Sequence, residues 1–232
     1  MSNSFFRFKQ FSVEHSKCAM KVGTDGVLLG AWANGGAKIL DIGTGSGLIA
    51  LFMAQKNADS RIVAIDIDSD AVLQARINIE NSKFKDRITV HQIALQKFYI
   101  GSYNSIVCNP PFFVNSLKNM DRKKVLARHT DSLSYRELFN GVKRLLDDTG
   151  EFSVVLPSSC RSDFDTEAVI CGFFPSRICA IKTVSYKPIS RYLLAYKKYP
   201  VNKIDESVEC INNDDMSRSD WYKLLTDDFY LF

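Results

Sequence analysis

Asp41-Ile42-Gly43-Thr44-Gly45-Ser46-Gly47 puts a carboxylate and three glycines at the end of a short apolar run. Glycines let the chain turn tightly and let a ligand approach bare backbone. In a doubly wound sheet such a strand-to-helix turn lies at the carboxyl edge, where ligands bind. A dinucleotide turn of the form G-x-G-x-x-G needs a glycine or small residue at position 48, and Leu48 stands there. Asp41 would also repel a pyrophosphate, which is held by helix N-terminal N–H groups with no anion nearby. No Walker-type Lys-Ser/Thr follows, which argues against a nucleoside triphosphate. A cation suits the turn better. Asp66 ends the next β-branched run, 19 residues beyond Gly47, in the position from which a carboxylate accepts the hydroxyls of a ribose. A methionyl cation joined to a ribose, with no phosphate, describes S-adenosylmethionine. This reading assigns Asp41, Gly43, Thr44, Gly45 and Gly47 to the cofactor, with Asp66 on its ribose. Ile67, and Ala94-Leu95 after the third strand, flank the adenine through backbone groups, because no acidic residue follows that strand. The competing reading makes each carboxylate a helix cap only.

Asn109-Pro110-Pro111-Phe112 follows the fourth strand directly. Prolines remove backbone donors and stiffen the turn. The Asn109 side-chain carbonyl can accept one N–H of a planar amine, and the Pro110 carbonyl the other. Two acceptors on one NH₂ draw its lone pair out of conjugation and aim it at a methyl cation donor. Phe112 offers a flat face for stacking a base or amide. The amine is neutral, so no general base is needed before transfer, and orientation and proximity carry the catalysis. Carbon methylation would instead want a cysteine nucleophile. Cys108 is adjacent but sits on an apolar strand and reads as core. Oxygen methylation would want a base or metal, and the nearest histidine, His129, reads as a loop residue. Taken alone, Asn-Pro-Pro-Phe is also just a rigid turn.

The elements around these residues alternate. Lys38 to Ile42, Arg61 to Asp66, Ile88 to Ile93 and Ser105 to Cys108 read as strands, and Leu48 to Lys56 as an apolar helix. Ser69-Asp70 can cap a helix whose Val72, Ala75 and Ile79 share one face. Ser134-Tyr135-Arg136-Glu137 is a capping box opening a helix with Leu138, Val142, Leu145 and Leu146 on one face, ended by Gly150. Phe152 to Leu156 is a fifth strand. Strands alternating with helices predict an α/β fold: a doubly wound, mostly parallel seven-stranded sheet, Rossmann-like. Phe6, Phe8, Phe11 and Val13 read as an N-terminal hairpin. Ile178 to Tyr199 reads as two further strands around Lys187-Pro188, forming an antiparallel edge. Residues 1–36 then form a hairpin and helix over the cofactor, 37–202 the catalytic domain, and 203–232 an acidic tail packed on it.

The 232 residues are 46% hydrophobic and 24% charged, enough for a sizeable core and neither disordered nor fibrous. The longest apolar runs fall far short of the ~18–20 residues of a membrane span. No signal peptide is read, and the six cysteines show no CxxC and no zinc-ligand spacing. A cytoplasmic monomer without metal or disulfides is expected. The net charge of +4 divides unevenly: residues 203–232 carry −5 and residues 1–202 carry +9. Lys118 to Arg144 holds eight Lys/Arg and three acids; Arg177 to Lys198 holds six Lys/Arg and no acid, interleaved with Tyr186, Tyr192 and Tyr196. Basic residues among aromatics suit a phosphate backbone and unstacked bases. Arg122, Lys123, Lys124, Arg128, Lys187 and Arg191 are the candidate RNA contacts, against a solvated loop and strand face.

The glycine turn, Asp66 and Asn109-Pro110-Pro111-Phe112 together resemble class I S-adenosylmethionine-dependent amino-methyltransferases over about residues 20–160. A narrower resemblance covers nearly the full length apart from the last 30 residues. Phe8-Lys9-Gln10-Phe11, Lys21 to Trp32, Asn109 to Phe113, and Ala127-Arg128-His129-Thr130 with Leu133 are similar to the bacterial valine-tRNA (adenine-N6)-methyltransferases. That resemblance implies a tRNA substrate, methylated on the exocyclic amine of the adenine just 3′ of the anticodon. The family commonly has Tyr where this chain has Phe112, which keeps stacking and loses the hydroxyl. The resemblance also implies that the segment at Thr24-Asp25 packs over the methionine moiety; a plain helix N-cap is the other reading of Thr24. An N5-glutamine protein methyltransferase, a ribosomal-RNA guanine-N2 methyltransferase and a non-catalytic S-adenosylmethionine- or RNA-binding module stay open as alternatives.

Overall fold

The computed structural model describes residues 5–16, 22–110 and 133–231. In chain order the described elements are β1 (Phe5–Arg7), β2 (Ser12–Glu14), α1 (Thr24–Trp32), β3 (Lys38–Ile42), α2 (Leu48–Lys56), β4 (Arg61–Asp66), α3 (Ser69–Glu80), β5 (Ile88–Gln92) and β6 (Tyr103–Cys108). Then come α4 (Tyr135–Leu145), β7 (Leu146–Pro157), α5 (Arg161–Ile170), β8 (Phe174–Lys182), β9 (Ile189–Lys197), β10 (Asp205–Cys210) and α6 (Asp220–Thr226). One sheet runs β10-β8-β9-β7-β6-β3-β4-β5, with β9 antiparallel to both neighbours and every other pairing parallel. The chain winds outward from β3 to β5, then crosses back to β6. The crossover makes the carboxyl ends of β3 and β6 the switch point of the sheet, where doubly wound folds bind ligands.

The expected α/β architecture is present, with three differences of detail. The sheet has eight strands, because Asp205–Cys210 of the acidic segment adds β10 alongside β8. The pair β8 and β9 is therefore interior, and the edges are β10 and β5. Helix α4 ends at Leu145 and β7 begins at once, so Gly150 lies inside a 12-residue strand rather than ending the helix. The capping box at Ser134 and Glu137 forms as read. The cap of α3 is Asp68, whose side chain accepts from the Asp70 N–H, one residue earlier than read.

Apolar residues on alternate strand positions feed two cores. One face of the sheet buries Leu40, Ile42, Ile106, Phe152, Val154 and Leu194 under α4 and α5. The other buries Ile39, Ile62, Val107, Val155 and Leu193 under α1, α2 and α3. Helix α2 is buried from Leu48 to Ala54, because the N-terminal hairpin and the C-terminal segment cover its outer side. Phe52 is the centre of that cover. Its ring stacks on Phe229 at 4.2 Å and meets Phe8 and Phe11 edge-on at 5.0 and 5.7 Å. The Lys9 N–H donates to the Phe229 carbonyl at 2.7 Å, which clasps the two ends of the chain together.

Helix α1 is held close to α2. A Cβ at Gly30 would stand 2.7 Å from the Phe52 Cβ, so only glycine allows this approach. Lys56 reaches from α2 to donate to the carbonyls of Ala31 and Ala33 at 2.6 and 2.9 Å, capping the end of α1. Burial, with Arg177 nearby, pulls this ammonium down to about 8. Arg177 stacks on Trp32 at 3.9 Å and pairs with Glu151 at 2.8 Å. The far end of α1 is thus pinned under the sheet, and its N-terminus projects at the switch point. Replacing Phe229 by Ala should cost about 3–5 kcal/mol, since a stacked core ring is lost and the clasp opens. Chemical denaturation measures it, and a loss below about 1 kcal/mol would mean the C-terminal segment is dispensable to the core.

Candidate active site

The turn after β3 runs through left-handed backbone at Gly43, Gly45 and Gly47, with φ of 68°, 55° and 80°. Side chains rarely adopt these angles. Gly47 is packed against Ala75 of α3, where a Cβ would meet it at 3.4 Å. At Gly43 and Gly45 a Cβ would meet nothing within 4 Å, so their bare faces open on space rather than packing. The N–H groups of Gly43 and Thr44 donate to the Ile65 carbonyl at 2.8 and 3.1 Å, tying the turn to β4.

Asp41 is wholly buried at the base of the turn. One carboxylate oxygen accepts from the Thr44 hydroxyl at 2.7 Å and the Ala50 N–H at 3.1 Å. The other oxygen, Oδ1, is buried without a hydrogen-bond partner. Burial pushes the carboxyl up to about 7, against the two hydrogen bonds, with the neighbouring Asp66 adding to the rise. Asp66 braces the turn from β4: Oδ2 accepts from the Gly45 N–H at 2.9 Å and Oδ1 from the Asp68 N–H at 3.0 Å.

Asn109 follows β6, whose Cys108 lies opposite Ile42 of β3. Its side-chain carbonyl, Oδ1, is buried and also lacks a partner. Pro110 beside it is buried. A cleft of about 240 Å³ joins Asn109 to Thr24, Asp25 and Gly26 of α1, to Gly43, Thr44, Gly45 and Ser46 of the turn, and to Arg191 of β9. Arg191 and Asp25 form an ion pair of 2.8 Å. Thr24, Gly43, Thr44, Gly45, Asn109 and Arg191, expected from the sequence, therefore meet in one cleft. Gly47 and Asp66 do not line it; Asp66 is half-buried beside the turn it braces.

Other expected residues stand elsewhere. Thr24 is not a cap: the N-cap of α1 is Gly23, which makes no side-chain hydrogen bond. Ile67 is exposed, and Leu95 points into the core under α4, its carbonyl taken by Arg144 and the Phe98 N–H. Only backbone is left to Leu95 for any ligand, and Ala94 is half-buried beside it. Lys187 is exposed in the turn between β8 and β9. The basic stretch around it is less open than its composition suggests. Arg177 and Lys198 are committed to Glu151 and Asp148, and the Tyr196 ring is buried in the core. Phe112, Arg122, Lys123, Lys124 and Arg128 lie outside the described residues. The pairing of Asp25 with Arg191 had no signal in the sequence, because the partners are far apart along the chain.

The geometry decides some of the chemistry. Burial drives the Cys108 thiol well above its ordinary value, with Asp41 and Asp66 adding to it. A thiol so buried and so held to its proton speaks against carbon methylation through Cys108. Among the described residues no group of three His, Cys, Asp or Glu is placed to hold a metal ion, and no helix is long and apolar enough to cross a membrane.

Residues 15–170 match the family model described as methyltransferase small domain. The tRNA1(Val) (adenine(37)-N6)-methyltransferase of Parabacteroides distasonis is 43% identical over 236 residues, covering 100% of this chain and 99% of that protein. Its namesake from Aeromonas hydrophila is 43% identical over 99% of this chain and 98% of its own. This chain belongs to that methyltransferase family. Solved structures agree on the fold. A predicted O-methyltransferase from Agrobacterium tumefaciens superposes with a TM-score of 0.70 at 14% identity, over 90% of this chain and 98% of that one. The ribosomal protein L11 methylase of Lactobacillus delbrueckii gives 0.56 at 15% identity, over 81% and 84%.

The buried carboxylate of this methyltransferase sets a pH dependence. Its folded-state value of about 7 lies above the ordinary 3.8, so the proton favours the folded chain. The stability contributed by the protonated group is complete below the ordinary value and is lost as pH rises through about 7. Asp41→Asn keeps an acceptor for Thr44 and Ala50 and cannot ionise. The melting temperature of the variant minus that of wild type should be larger at about pH 8.5 than at about pH 5. A difference flat with pH would mean Asp41 ionises at no cost.

Proposed function

We propose that this methyltransferase moves the methyl group of S-adenosylmethionine to the exocyclic N6 amine of an adenine in a tRNA anticodon loop, the position just 3′ of the anticodon. The observation that carries it is the buried, unpartnered carbonyl of Asn109 at the cleft beside the glycine turn. An acceptor kept from water without a partner costs free energy unless an N–H reaches it. The names of the relatives, tRNA1(Val) (adenine(37)-N6)-methyltransferases, support the choice of that amine.

The cleft fits the cofactor on three counts. The orphan oxygen of Asp41 asks for a cation. The bare faces of Gly43 and Gly45 leave the room that a ligand lying on backbone requires. Asp66, which accepts from the Gly45 and Asp68 N–H groups through one lone pair on each oxygen, keeps others for ribose hydroxyls. Thr24, Thr44 and Gly47 complete the cradle on this reading, with Ile67, Ala94 and Leu95 beside the adenine. Bound there, S-adenosylmethionine supplies a methyl group on a cationic sulfur.

The residues of the chain do the rest by position. Asn109 Oδ1 and the Pro110 carbonyl accept the two N–H groups of the target amine and hold its lone pair toward the cofactor side of the cleft. Phe112 stacks on the base. The amine attacks as the neutral species, so no side chain has to take a proton before transfer. Arg122, Lys123, Lys124, Arg128 and Lys187 contact the RNA backbone in this reading, and the enzyme acts as a cytoplasmic monomer. A non-catalytic binding module would have no use for a buried amide acceptor at the mouth of the cleft.

Incubation with methyl-labelled S-adenosylmethionine and total tRNA, followed by nucleoside analysis, should yield labelled N6-methyladenosine in tRNA. Label confined to glutamine in protein or to guanine in ribosomal RNA would overturn the reading. Asn109→Ala should lower the transfer rate by at least about 100-fold while leaving cofactor binding near wild type. A matching loss of cofactor binding would assign Asn109 to the cofactor instead of the amine.

A further inference from the structure

The cleft is lined by one cation among the described residues, Arg191, and that cation faces a carboxylate of its own protein. Arg191 sits at the start of β9, opposite Pro157 at the end of β7, so it stands on the same edge of the sheet as Asn109. Its Nη1 lies 2.8 Å from Asp25 Oδ1 in the first turn of α1, and both side chains are partly exposed. A further carboxylate, Asp66, stands half-buried beside the adjoining turn. Without Arg191 the cleft would repel a nucleic-acid strand.

We infer that Arg191 is the anchor for the phosphodiester next to the target nucleotide, and that Asp25 parks it there until a phosphate takes it over. This rests on the RNA reading above and assigns this one residue a single job within it. A guanidinium has five donors in a planar fork; Asp25 holds it through a single short contact, whereas a phosphate takes two parallel N–H groups and can draw the fork away from that contact. Phosphate and Asp25 then compete for the same cation. Competition makes the cleft selective for a chain bearing a phosphodiester over a free adenine or adenosine, which brings nothing to displace Asp25. It also makes Asp25 a residue that weakens substrate binding in exchange for keeping Arg191 in place.

The two members of the pair should consequently act with opposite signs. In filter binding to unmodified tRNA over a salt series, Arg191→Ala should weaken affinity about tenfold and lower the slope of log affinity against log salt by about one. Asp25→Asn should tighten affinity severalfold at low salt, because the competitor is gone. Arg191→Lys should keep the slope, since a point charge still displaces a counterion, and should lose part of the affinity, since the fork is lost. A purely structural ion pair between α1 and β9 predicts instead that Asp25→Asn and Arg191→Ala shift affinity in the same direction, and that result overturns the inference. An unchanged slope in Arg191→Ala overturns it equally, and does so even where Asp25→Asn fails to fold. Wild-type enzyme that labels no RNA overturns the substrate reading; wild-type labelling with same-sign variants overturns this assignment alone.

Discussion

A carboxylate buried with one oxygen satisfied and the other bare is the constraint around which this protein is organised. Removing a charge from water is costly unless it is paired or hydrogen-bonded. Asp41 receives two hydrogen bonds, both on one oxygen, and they do not offset its burial, so its proton is held to about 7. Such a group makes the free protein less stable near neutrality, and the deficit has to be covered elsewhere. The two apolar layers on either face of the sheet do so. On the proposed reading, a cationic ligand held near the bare oxygen would relieve the same deficit, and the cost in folding would reappear as affinity.

The remainder of the structure keeps that carboxylate where it is and brings the cleft residues to it. Helix α1 is pinned at its far end by Lys56 and by the Arg177–Trp32 stack, and is pressed on α2 through Gly30. Its first turn consequently stays against the glycine turn. Helix α2 in turn is covered by Phe8, Phe11 and Phe229 from the two ends of the chain. The C-terminal segment, remote from the cleft, thus acts on it mechanically through Phe52 and α1.

The parts of this arrangement visible in the sequence are those with local causes. A parallel strand buried on both faces reads as a continuous apolar run, so β3 and β4 were legible to the residue. The capping box at Ser134 is a four-residue pattern and was legible too. Asp41, the glycine turn and Asn109 owed their reading to chemistry: each puts an unusual residue type at the end of an apolar strand. Features set by tertiary context were not visible. Strand β10 has exposed Asp205 and Glu206 and forms because β8 offers it an edge, not because its own residues demand it. Gly150 looked like a helix stop, but Leu146 had already entered the sheet. The burial of Tyr196 and the inward turn of Leu95 depend on helices α4 and α5 arriving from other parts of the chain.

The charge distribution changes meaning once it is placed on the fold. The acidic segment is no loose tail: β10 is an edge of the sheet and α6 packs through Tyr222 into the core, so its negative charge is fixed in space. Three of the six cations from Arg177 to Lys198 pair with internal carboxylates, Glu151, Asp148 and Asp25. Composition therefore overstates the cations available to RNA on that side, and Lys182, Lys187 and Arg191 are those of the stretch nearest the carboxyl edge of the sheet. Binding of a polyanion falls steeply with salt in proportion to the phosphates neutralised. A flank with half of its cations paired internally, bordered by a fixed acidic edge, would hold RNA nonspecifically less well than its composition implies. On the proposed reading, selectivity then rests on contacts the cleft itself makes, which places the burden on the geometry of Asn109 and on which partner Arg191 keeps.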